Sequence, residues 1–391
     1  MKFNLPNDVL YILRRLEDKG YRADVVGGSV RDLLLGRSPD DFDITTSATP
    51  EEIKAVFSDL RTLDTGIKHG TVGILLDGFV YETTTYRVDG EYLDSRHPES
   101  VSFTRNIEED LARRDFTVNA ISYSPTHGLC DPFGGQSDLE KGIIRAVGEP
   151  SLRFREDALR ILRGLRFAAT FGFEIEEKTS LALRECAHLL ANVSAERIWV
   201  ELRKTLAQPY AYDILREYSD VFLRVMPGID CLALPPENVF DSADLLSRLL
   251  LLFVESGEEG FDLFCRGLKT DNHLRLLGSS ILRSVGKYDL SDRVSLTKAL
   301  RDLGEESTRG VINLEIALGR AAAESKKLLD CLLSEGVCYR ISDLALTGSD
   351  VMSLGINGRE VGIALDSLLT AVIEGRVENT KTELLKFLAK E

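Results

Sequence analysis

The chain has 391 residues, of which 43% are hydrophobic and 28% charged, a globular composition long enough for roughly two to four domains, and its net charge is −15. Its longest wholly apolar run, residues 249–254, is far below the roughly 20 residues of a membrane span, and its N-terminus lacks the apolar core of a signal peptide. The six cysteines form no Cys-x-x-Cys pair, which argues against a zinc site or a disulfide framework and predicts a reducing, cytoplasmic location.

The first part of the chain has the mixed helix and strand patterns of an α/β domain. In order they predict a helix at 7–19, a strand at 22–26, a helix at 29–35, a strand at 42–45, a helix after the capping box Thr49-Pro50-Glu51-Glu52, strands at 71–76 and 79–86, and a polar loop at 88–100. Asp77-Gly78 joins the last two strands as a hairpin. Beyond Pro150 helical periodicity continues to the end, so we expect a head at 1–148, a helical neck at 149–214, and a helical body and tail at 215–391.

Asp41 and Asp43 form a carboxylate pair at the start of the second predicted strand. Because side chains alternate along a strand, both carboxylates face one side while Phe42 faces the other. Adjacent carboxylates repel each other and stay ionised when a cation lies between them. Their oxygens suit Mg²⁺, which also binds substrate phosphates and stabilises in-line phosphoryl transfer. A solvated acidic turn is the alternative for an isolated Asp-x-Asp.

The segment from Gly27 to Asp32 joins the first strand to a helix. Its two glycines allow close approach of a ligand, and the helix N-terminus offers free N–H groups to a triphosphate. Arg31 adds a positive charge, and Asp41 follows ten residues later. The turn and the carboxylate pair therefore predict metal and phosphate sites side by side. Glu82, on a later strand, either joins this site or faces water.

Five motifs follow one another over the first half of the chain: GGSVRDLLLGRSPDDFDITTSATPEEI from Gly27, RRDFTVNA from Arg113, DPFGG from Asp131, EDALR from Glu156 and SAER from Ser194. This series resembles the motifs of polymerase β-type nucleotidyltransferases in their class II tRNA form, the bacterial CCA-adding enzymes and related poly(A) polymerases. The resemblance implies an α+β multidomain chain whose nucleotidyltransferase head, built on a small mixed sheet, is followed by an all-α neck, body and tail. It also implies template-independent addition of C, C and A to the 3′ end of tRNA.

The same resemblance assigns roles to single residues. Asp41 and Asp43 resemble the catalytic metal ligands, with Mg²⁺ as the cofactor. Arg114 resembles a residue at the nucleotide's sugar and phosphates, and Asp157 and Arg160 resemble the pair that reads the base. The expected nucleotide-binding residues are Gly28, Arg31, Arg114, Asp157, Arg160, Arg163 and Arg166. The expected partners are tRNA, ATP and CTP, with no membrane and no obligate protein partner.

From Asp157 to Arg166 an acid and three arginines recur every three residues, which predicts one helix with these side chains along one face. An ionised Asp only accepts hydrogen bonds and Arg only donates them. Asp157 would accept the amino hydrogen of cytosine or adenine while Arg160 donates to the ring nitrogen, and uracil and guanine have the reverse pattern. The basic run 153–166 also gives an acidic chain the local positive charge that phosphate binding favours. An ordinary salt-bridged amphipathic helix is the alternative.

Two segments and three competing functions stay open. The loop at 89–98 resembles the element that lets one pocket change from C to A addition. Lys381, Lys386 and Lys390 in the last helix meet either RNA phosphates or solvent. The competing functions are A-only addition to tRNA and a bacterial poly(A) polymerase, against which the near-neutral C-terminal helix counts. A non-catalytic RNA-binding protein is disfavoured because the motif residues are intact.

Overall fold

A computed structural model gives the architecture of the chain and describes residues 2–90 and 101–389. The chain forms two compact units, Met1–Val225 and Met226–Glu391. The first unit combines strands with helices, and the described part of the second is helical, so the predicted α+β organisation is confirmed. The division at 1–148, 149–214 and 215–391 is finer than these two units and stays a prediction. Over the described residues, no helix combines the length and apolar character needed to cross a membrane.

The strands of the first unit form one large sheet and two small ones. They are β1 (Ala23–Val26), β2 (Ile44–Thr46), β3 (Thr62–Gly66), β4 (Thr71–Leu76), β5 (Phe79–Thr85), β6 (Arg87–Asp89), β7 (Val101–Phe103), β8 (Ser122–Ser124), β9 (Gly128–Cys130), β10 (Ile143–Ile144) and β11 (Glu174–Ile175). The large sheet has the order β3-β4-β5-β2-β1-β8-β9, and β6–β7 and β10–β11 form separate pairs. Since β2 and β5 are parallel and the other neighbours in the large sheet are antiparallel, the predicted mixed sheet is confirmed.

The first unit also contains α-helices, which alternate with its strands along the chain and continue after the last strand. They are α1 (Asn7–Glu17), α2 (Gly28–Leu34), α3 (Pro50–Val56), α4 (Ile107–Ala112), α5 (Gly135–Lys141), α6 (Pro150–Glu156), α7 (Leu159–Phe171), α8 (Glu177–Cys186), α9 (Ala195–Leu206), α10 (Ala211–Glu217) and α11 (Ser219–Phe222). Val26, at the end of β1, lies in a buried apolar cluster with Tyr86, Ile107, Leu111, Ala120 and Val147. This packing fixes the backbone where β1 leads into Gly27.

Local sequence signals explain two of the predicted elements. The Thr49 hydroxyl accepts a hydrogen bond from the Glu52 N–H, and the Glu52 carboxylate accepts one from the Thr49 N–H, so the capping box at α3 is confirmed. Asp77 and Gly78 have φ values of 48° and 86°. Positive φ at both central residues is typical of the turn that joins two twisted strands, and it closes the β4–β5 hairpin as predicted.

Two predictions about strands need correction. Strand β2 begins at Ile44, so Asp41 and Asp43 precede it instead of lying within it. Val88 and Asp89 were expected in a loop, but they lie in β6 and pair with β7. Ladder hydrogen bonds to a strand more than ten residues away outweigh the local polar composition. Residues 91–100, and with them most of the loop at 89–98, lie outside the described residues.

The second unit contains the helices α12 (Glu237–Ser242), α13 (Leu245–Leu251), α14 (Gly257–Gly267), α15 (Asn272–Ser284), α16 (Arg293–Ala317), α17 (Glu324–Ser334), α18 (Gly348–Met352), α19 (Arg359–Ile373) and α20 (Lys381–Leu388). One of its cores joins α18, α19 and α20 through Val351, Leu365, Leu368, Leu369 and Leu384. Helix α16 is interrupted at Gly304, whose φ of 78° is not helical. Lys381 and Lys386 form salt bridges with Asp350 and Glu383, and Lys390 lies outside the described residues.

Candidate active site

The site is built where β1 ends and β2 begins. The Val26 N–H donates to the Asp43 carbonyl oxygen at 3.0 Å, which sets the end of β1 against the residues before β2. On the other side of β2, the parallel strand β5 pairs Thr83 with Ile44. Glu82, the residue before Thr83, therefore lies beside Asp43, the residue before Ile44. The sheet order therefore places Asp43 between the Gly27 turn and Glu82.

The two candidate metal ligands are exposed and electrostatically coupled. Burial of the Asp43 carboxyl by surrounding protein raises its pKa, and the charges of Asp41 and Glu82 raise it further, while Arg114 opposes the shift. The residue nonetheless stays open to solvent on one side, as does Asp41. Among residues 2–90 and 101–389, no group of three or more His, Cys, Asp or Glu side chains is arranged to hold a metal ion. Concentrated negative charge with oxygen donors fits a hard divalent cation, and Glu82 adds to the negative charge around Asp43.

A groove runs along the side of the pair that faces β5. Its volume is about 570 Å³. It is lined by Pro6, Pro39, Asp40, Asp41, Phe42, Asp43, Phe79, Val80, Tyr81 and Glu82. Phe79 is 68% exposed and Val80 48% exposed. The carboxylate pair therefore has the glycine turn on one side and an open groove with an exposed aromatic ring on the other.

The glycine turn depends on Gly27 more than on Gly28, which the sequence analysis singled out. Gly27 has φ 76° and ψ −128°, a region that residues with a side chain avoid. A Cβ atom built on Gly27 would lie 3.0 Å from Arg114 Nη1. Gly28 is the first residue of α2, and its Cβ position meets Arg31 at an ordinary 3.5 Å. The turn thus brings the backbone against Arg114.

We predict that Gly27→Ala lowers the catalytic efficiency of nucleotide addition by at least about tenfold, because a side chain there both strains the turn and displaces Arg114. The matched control is Gly20→Ala. Gly20 has φ 86° and no atom within 4 Å of its Cβ position, so this variant carries the strain without the displacement. Steady-state kinetics and thermal unfolding of both variants check the prediction. Equal loss of efficiency in both variants would contradict it.

Arg31 and Arg114 are both enclosed, which makes them suited to an anion. Burial lowers the pKa of each guanidinium. Arg31 donates to Asn119 at 2.8 Å and stacks on the rings of Phe167 and Phe171 of α7. Arg114 Nε is buried with no hydrogen-bond partner among the described residues. A buried unpaired donor on a cation needs an explanation, and a bound phosphate would provide one.

Asp110 holds Arg114 in place, and sequence reasoning missed it. Its buried carboxylate accepts bonds from Arg113 at 2.8 Å and from Arg114 at 3.4 Å. Burial raises the pKa of Asp110, but the charges of Arg113 and Arg114 more than offset this, so the pKa lies below its usual value. Sequence spacing carried no signal for this contact, because α4 ends at Ala112 and Arg114 lies beyond the helix, where a separation of four residues does not determine which side chains meet.

The two last candidate arginines are also paired. Arg163 bonds Asp115 at 2.7 Å, and Arg166 bonds Glu201 of α9 at 2.6 Å. Burial raises the pKa of Asp115, but the charges of Arg163 and Arg160 together with the hydrogen bonds from Asn119 and Arg163 outweigh it and hold the pKa at about 2. Both arginines also lie over the ring of Phe167. They form one surface with Arg31, which stacks on the same ring.

The prediction that Asp157 and Arg160 share one helix is wrong. Helix α6 ends at Glu156, Asp157 is extended with φ −140° and ψ 102°, and α7 starts at Leu159. The Asp157 carboxylate accepts the Leu159 N–H at 3.1 Å. Asp side chains that bond nearby backbone N–H groups compete with the helix and favour its ends, which explains the break.

Asp157 and Arg160 each have a charged partner of their own. Arg197 of α9 donates to Asp157 at 2.9 Å, and Arg160 donates to Glu156 at 2.6 Å. Arg160 also donates to the carbonyl of Arg113, next to Arg114, at 2.9 Å. Arg160 thereby contacts the chain segment that carries Arg114, whose charge acts on Asp43, so the predicted site residues follow one path from the carboxylate pair to α7.

Comparisons with known proteins cover nearly all of the chain. Family models match residues 23–145 as "Poly A polymerase head domain", 172–230 as "Probable RNA and SrmB- binding site of polymerase A" and 240–388 as "tRNA nucleotidyltransferase domain 2 putative". The CCA-adding enzyme of Lactobacillus helveticus is 36% identical over 96% of this chain and 95% of its own length, and that of Streptococcus mutans is 36% identical over 98% and 97%.

A solved structure agrees with these sequence relatives. The crystal structure of the Bacillus stearothermophilus CCA-adding enzyme in complex with CTP has a TM-score of 0.83, is 34% identical, and covers 99% of this chain and 98% of that one. The fold and the site therefore define a nucleotidyltransferase with a poly(A) polymerase-type head. Within that class, this chain belongs to the family of CCA-adding enzymes.

Proposed function

We infer that this chain adds C, C and A to the 3′ end of tRNA, using CTP and ATP without a nucleic-acid template and releasing pyrophosphate. The observation that carries the proposal is the connected arrangement of a carboxylate pair, a glycine turn with two enclosed arginines, and an acid–arginine pair next to them. Full-length similarity to CCA-adding enzymes supports the same reaction. The proposal places the reaction in the cytoplasm, where tRNA and nucleoside triphosphates occur together.

The chemistry is an in-line displacement at phosphorus. The 3′-oxygen of the RNA forms a bond to the α-phosphorus, the bond from that phosphorus to the bridging oxygen of pyrophosphate breaks, and the hydroxyl proton is lost. Asp41 and Asp43 would hold Mg²⁺, which supplies charge stabilisation of the attacking and leaving oxygens. Gly28, Arg31 and Arg114 would hold the triphosphate in line for attack, with Arg163 and Arg166 extending the positive surface.

The RNA end would approach from the groove beside β5. The glycine turn lies on one side of Asp43 and the groove on the other, and an in-line displacement needs the nucleophile opposite the leaving group. Phe79 offers an exposed ring on which a terminal base can stack, a contact that is indifferent to base identity. This suits an RNA end that changes from one addition to the next.

Base choice would rest on Asp157 and Arg160. Their neighbours in the structure hold them in place and leave their donor and acceptor character unchanged. Asp157 accepts the amino hydrogen of cytosine or adenine, and Arg160 donates to the ring nitrogen. Uracil and guanine would set like groups against each other, and buried groups without a partner are penalised more than a missing contact.

Two alternative functions differ from this proposal in their products. A-only addition extends tRNA that already ends in CC, and a poly(A) polymerase extends any RNA end with many adenylates. The test uses tRNA transcripts that lack CCA or only the final A, together with an oligo(A) of similar length. CTP and ATP are supplied separately and together, and the product ends are sequenced. The proposal requires CC from CTP alone and CCA from both. No use of CTP, or long A tails on oligo(A), would overturn it.

A further inference from the structure

We propose that Arg197 is a positioning residue that sets base selection by fixing the Asp157 carboxylate, an inference that rests on the proposed function. Arg197 lies in the first turn of α9, forty residues after Asp157. Its Nη2 donates to Asp157 Oδ2 at 2.9 Å and to Oδ1 at 3.3 Å. Both side chains are largely enclosed, with 25% of Arg197 and 19% of Asp157 exposed.

Asp157 needs an external support because no helix holds it. The residue lies in the extended link between α6 and α7, so its side chain lacks the rotamer restraint that a helix imposes. Two contacts orient the carboxylate. One is the short-range bond from the Leu159 N–H to Oδ1, and the other is Arg197. Removing Arg197 leaves a carboxylate that pivots about a single hydrogen bond.

The contacts also determine which oxygen is available to a base. A carboxylate has about two acceptor positions on each oxygen. In the described contacts Oδ1 receives two donors, from Leu159 at 3.1 Å and from Arg197 at 3.3 Å, while Oδ2 receives one. The remaining position on Oδ2 is therefore the one that meets the amino group of cytosine or adenine. Arg197 thus fixes the orientation of the Asp157 carboxylate and determines which of its oxygens can accept a further hydrogen bond.

Arg197 is not required to dock α9 onto α7. Arg166 of α7 already binds the buried Glu201 of α9, a contact that joins the same two helices. Arg197 Nη1, moreover, is buried without a hydrogen-bond partner among the described residues. Within the described residues the side-chain hydrogen bonds of Arg197 go to the carboxylate of Asp157, which therefore sets the orientation of the guanidinium.

The experiment compares wild type with Arg197→Ala, Arg197→Lys, Asp157→Ala and the Arg197→Ala/Asp157→Ala double variant. Efficiencies for CTP, ATP, UTP and GTP are measured on tRNA lacking CCA, together with thermal unfolding. We expect Arg197→Ala to reduce the preference for CTP over UTP by at least roughly tenfold. Arg197→Lys, which keeps one donor, should restore part of it. Because Arg197 acts through Asp157, the double variant should be no less selective than Asp157→Ala.

Arg184→Ala is the matched control, because Arg184 also bridges two helices of this unit, through Asp220, away from the site. It should keep the selectivity of wild type and change stability little, because the pair is exposed. Full selectivity in both Arg197 variants, or additive loss in the double variant, would overturn the inference. These outcomes are distinct from failure of the proposed function, in which wild type itself does not use CTP or adds long A tails to oligo(A). If Arg197→Ala is unstable, Arg197→Lys decides: a lower preference for CTP over UTP supports the inference, and full selectivity overturns it.

Discussion

Replacing Asp41 or Asp43 with alanine is expected to lower nucleotide addition by at least about 10³-fold, because each variant removes half of the ligand set for the cation that stabilises the transferring phosphoryl group. The folded structure should change little, since both residues are exposed and precede β2. Single-turnover rates with saturating CTP and Mg²⁺ measure the effect, and tRNA binding measured separately should stay within about threefold of wild type, because the catalytic carboxylates donate no hydrogen bonds to the RNA.

The control for this loss is Asp64→Ala, which removes one exposed carboxylate of the head that pairs with Lys54. It changes the net charge by the same amount and should retain full activity, since exposed surface pairs contribute little. Turnover near the wild-type rate in Asp41→Ala would refute the metal-ligand assignment. Loss of activity in Asp64→Ala as well would mean that charge, not ligation, is responsible.

Replacing Asp157 with alanine should relax discrimination against UTP and GTP by about 10²-fold, because the acceptor that rejects their ring N–H and carbonyl pattern is gone. Triphosphate binding should weaken less, since Gly28, Arg31 and Arg114 remain. Replacing Arg160 with alanine should lower C and A addition together, because one donor serves both bases. The measurement is the ratio of kcat/KM values for the four nucleotides on a tRNA substrate.

Asp220→Ala is the matched control for this pair of variants. It removes a carboxylate of the first unit whose partner, Arg184, contacts Asp220, Glu217 and Tyr218 and none of the candidate nucleotide-binding residues in the described part of the chain. Its selectivity should equal that of wild type. Full selectivity in Asp157→Ala, or harm to only one of the two correct nucleotides in Arg160→Ala, would contradict a single shared pair that reads both bases.

The parts of the fold that sequence reasoning predicted are those whose signals are local. The capping box at Thr49, the hairpin at Asp77-Gly78 and the helix at Asn7 each depend on a few adjacent residues. Strands β8 and β9 were missed, because each has three residues and forms only through pairing with a distant or antiparallel neighbour. Strand β3 was also missed; it has five residues and forms through its antiparallel pairing with β4.

In the site too, sequence reasoning found what is local in the chain and missed contacts between distant residues. The candidate site residues were found as motifs, but their partners were not, since Arg197 lies forty residues from Asp157 and Asn119 lies 88 residues from Arg31. The three-residue spacing from Asp157 to Arg166 favoured one helix. In the structure the Asp157 carboxylate accepts a hydrogen bond from the Leu159 N–H, and this bond favours a break in the helix. The periodicity of the sequence does not reveal such a bond.

The central claim, that one protein site selects C and then A for the end of tRNA, is tested most directly by one measurement. A tRNA transcript lacking CCA is incubated with the wild-type chain, Mg²⁺ and all four nucleoside triphosphates at equal concentration, and the 3′ ends of the products are sequenced. The account predicts that the great majority end in CCA and extend no further. Ends with adenylate tails, ends with uridylate or guanylate at a rate similar to cytidylate, or transcripts left without any C would contradict it.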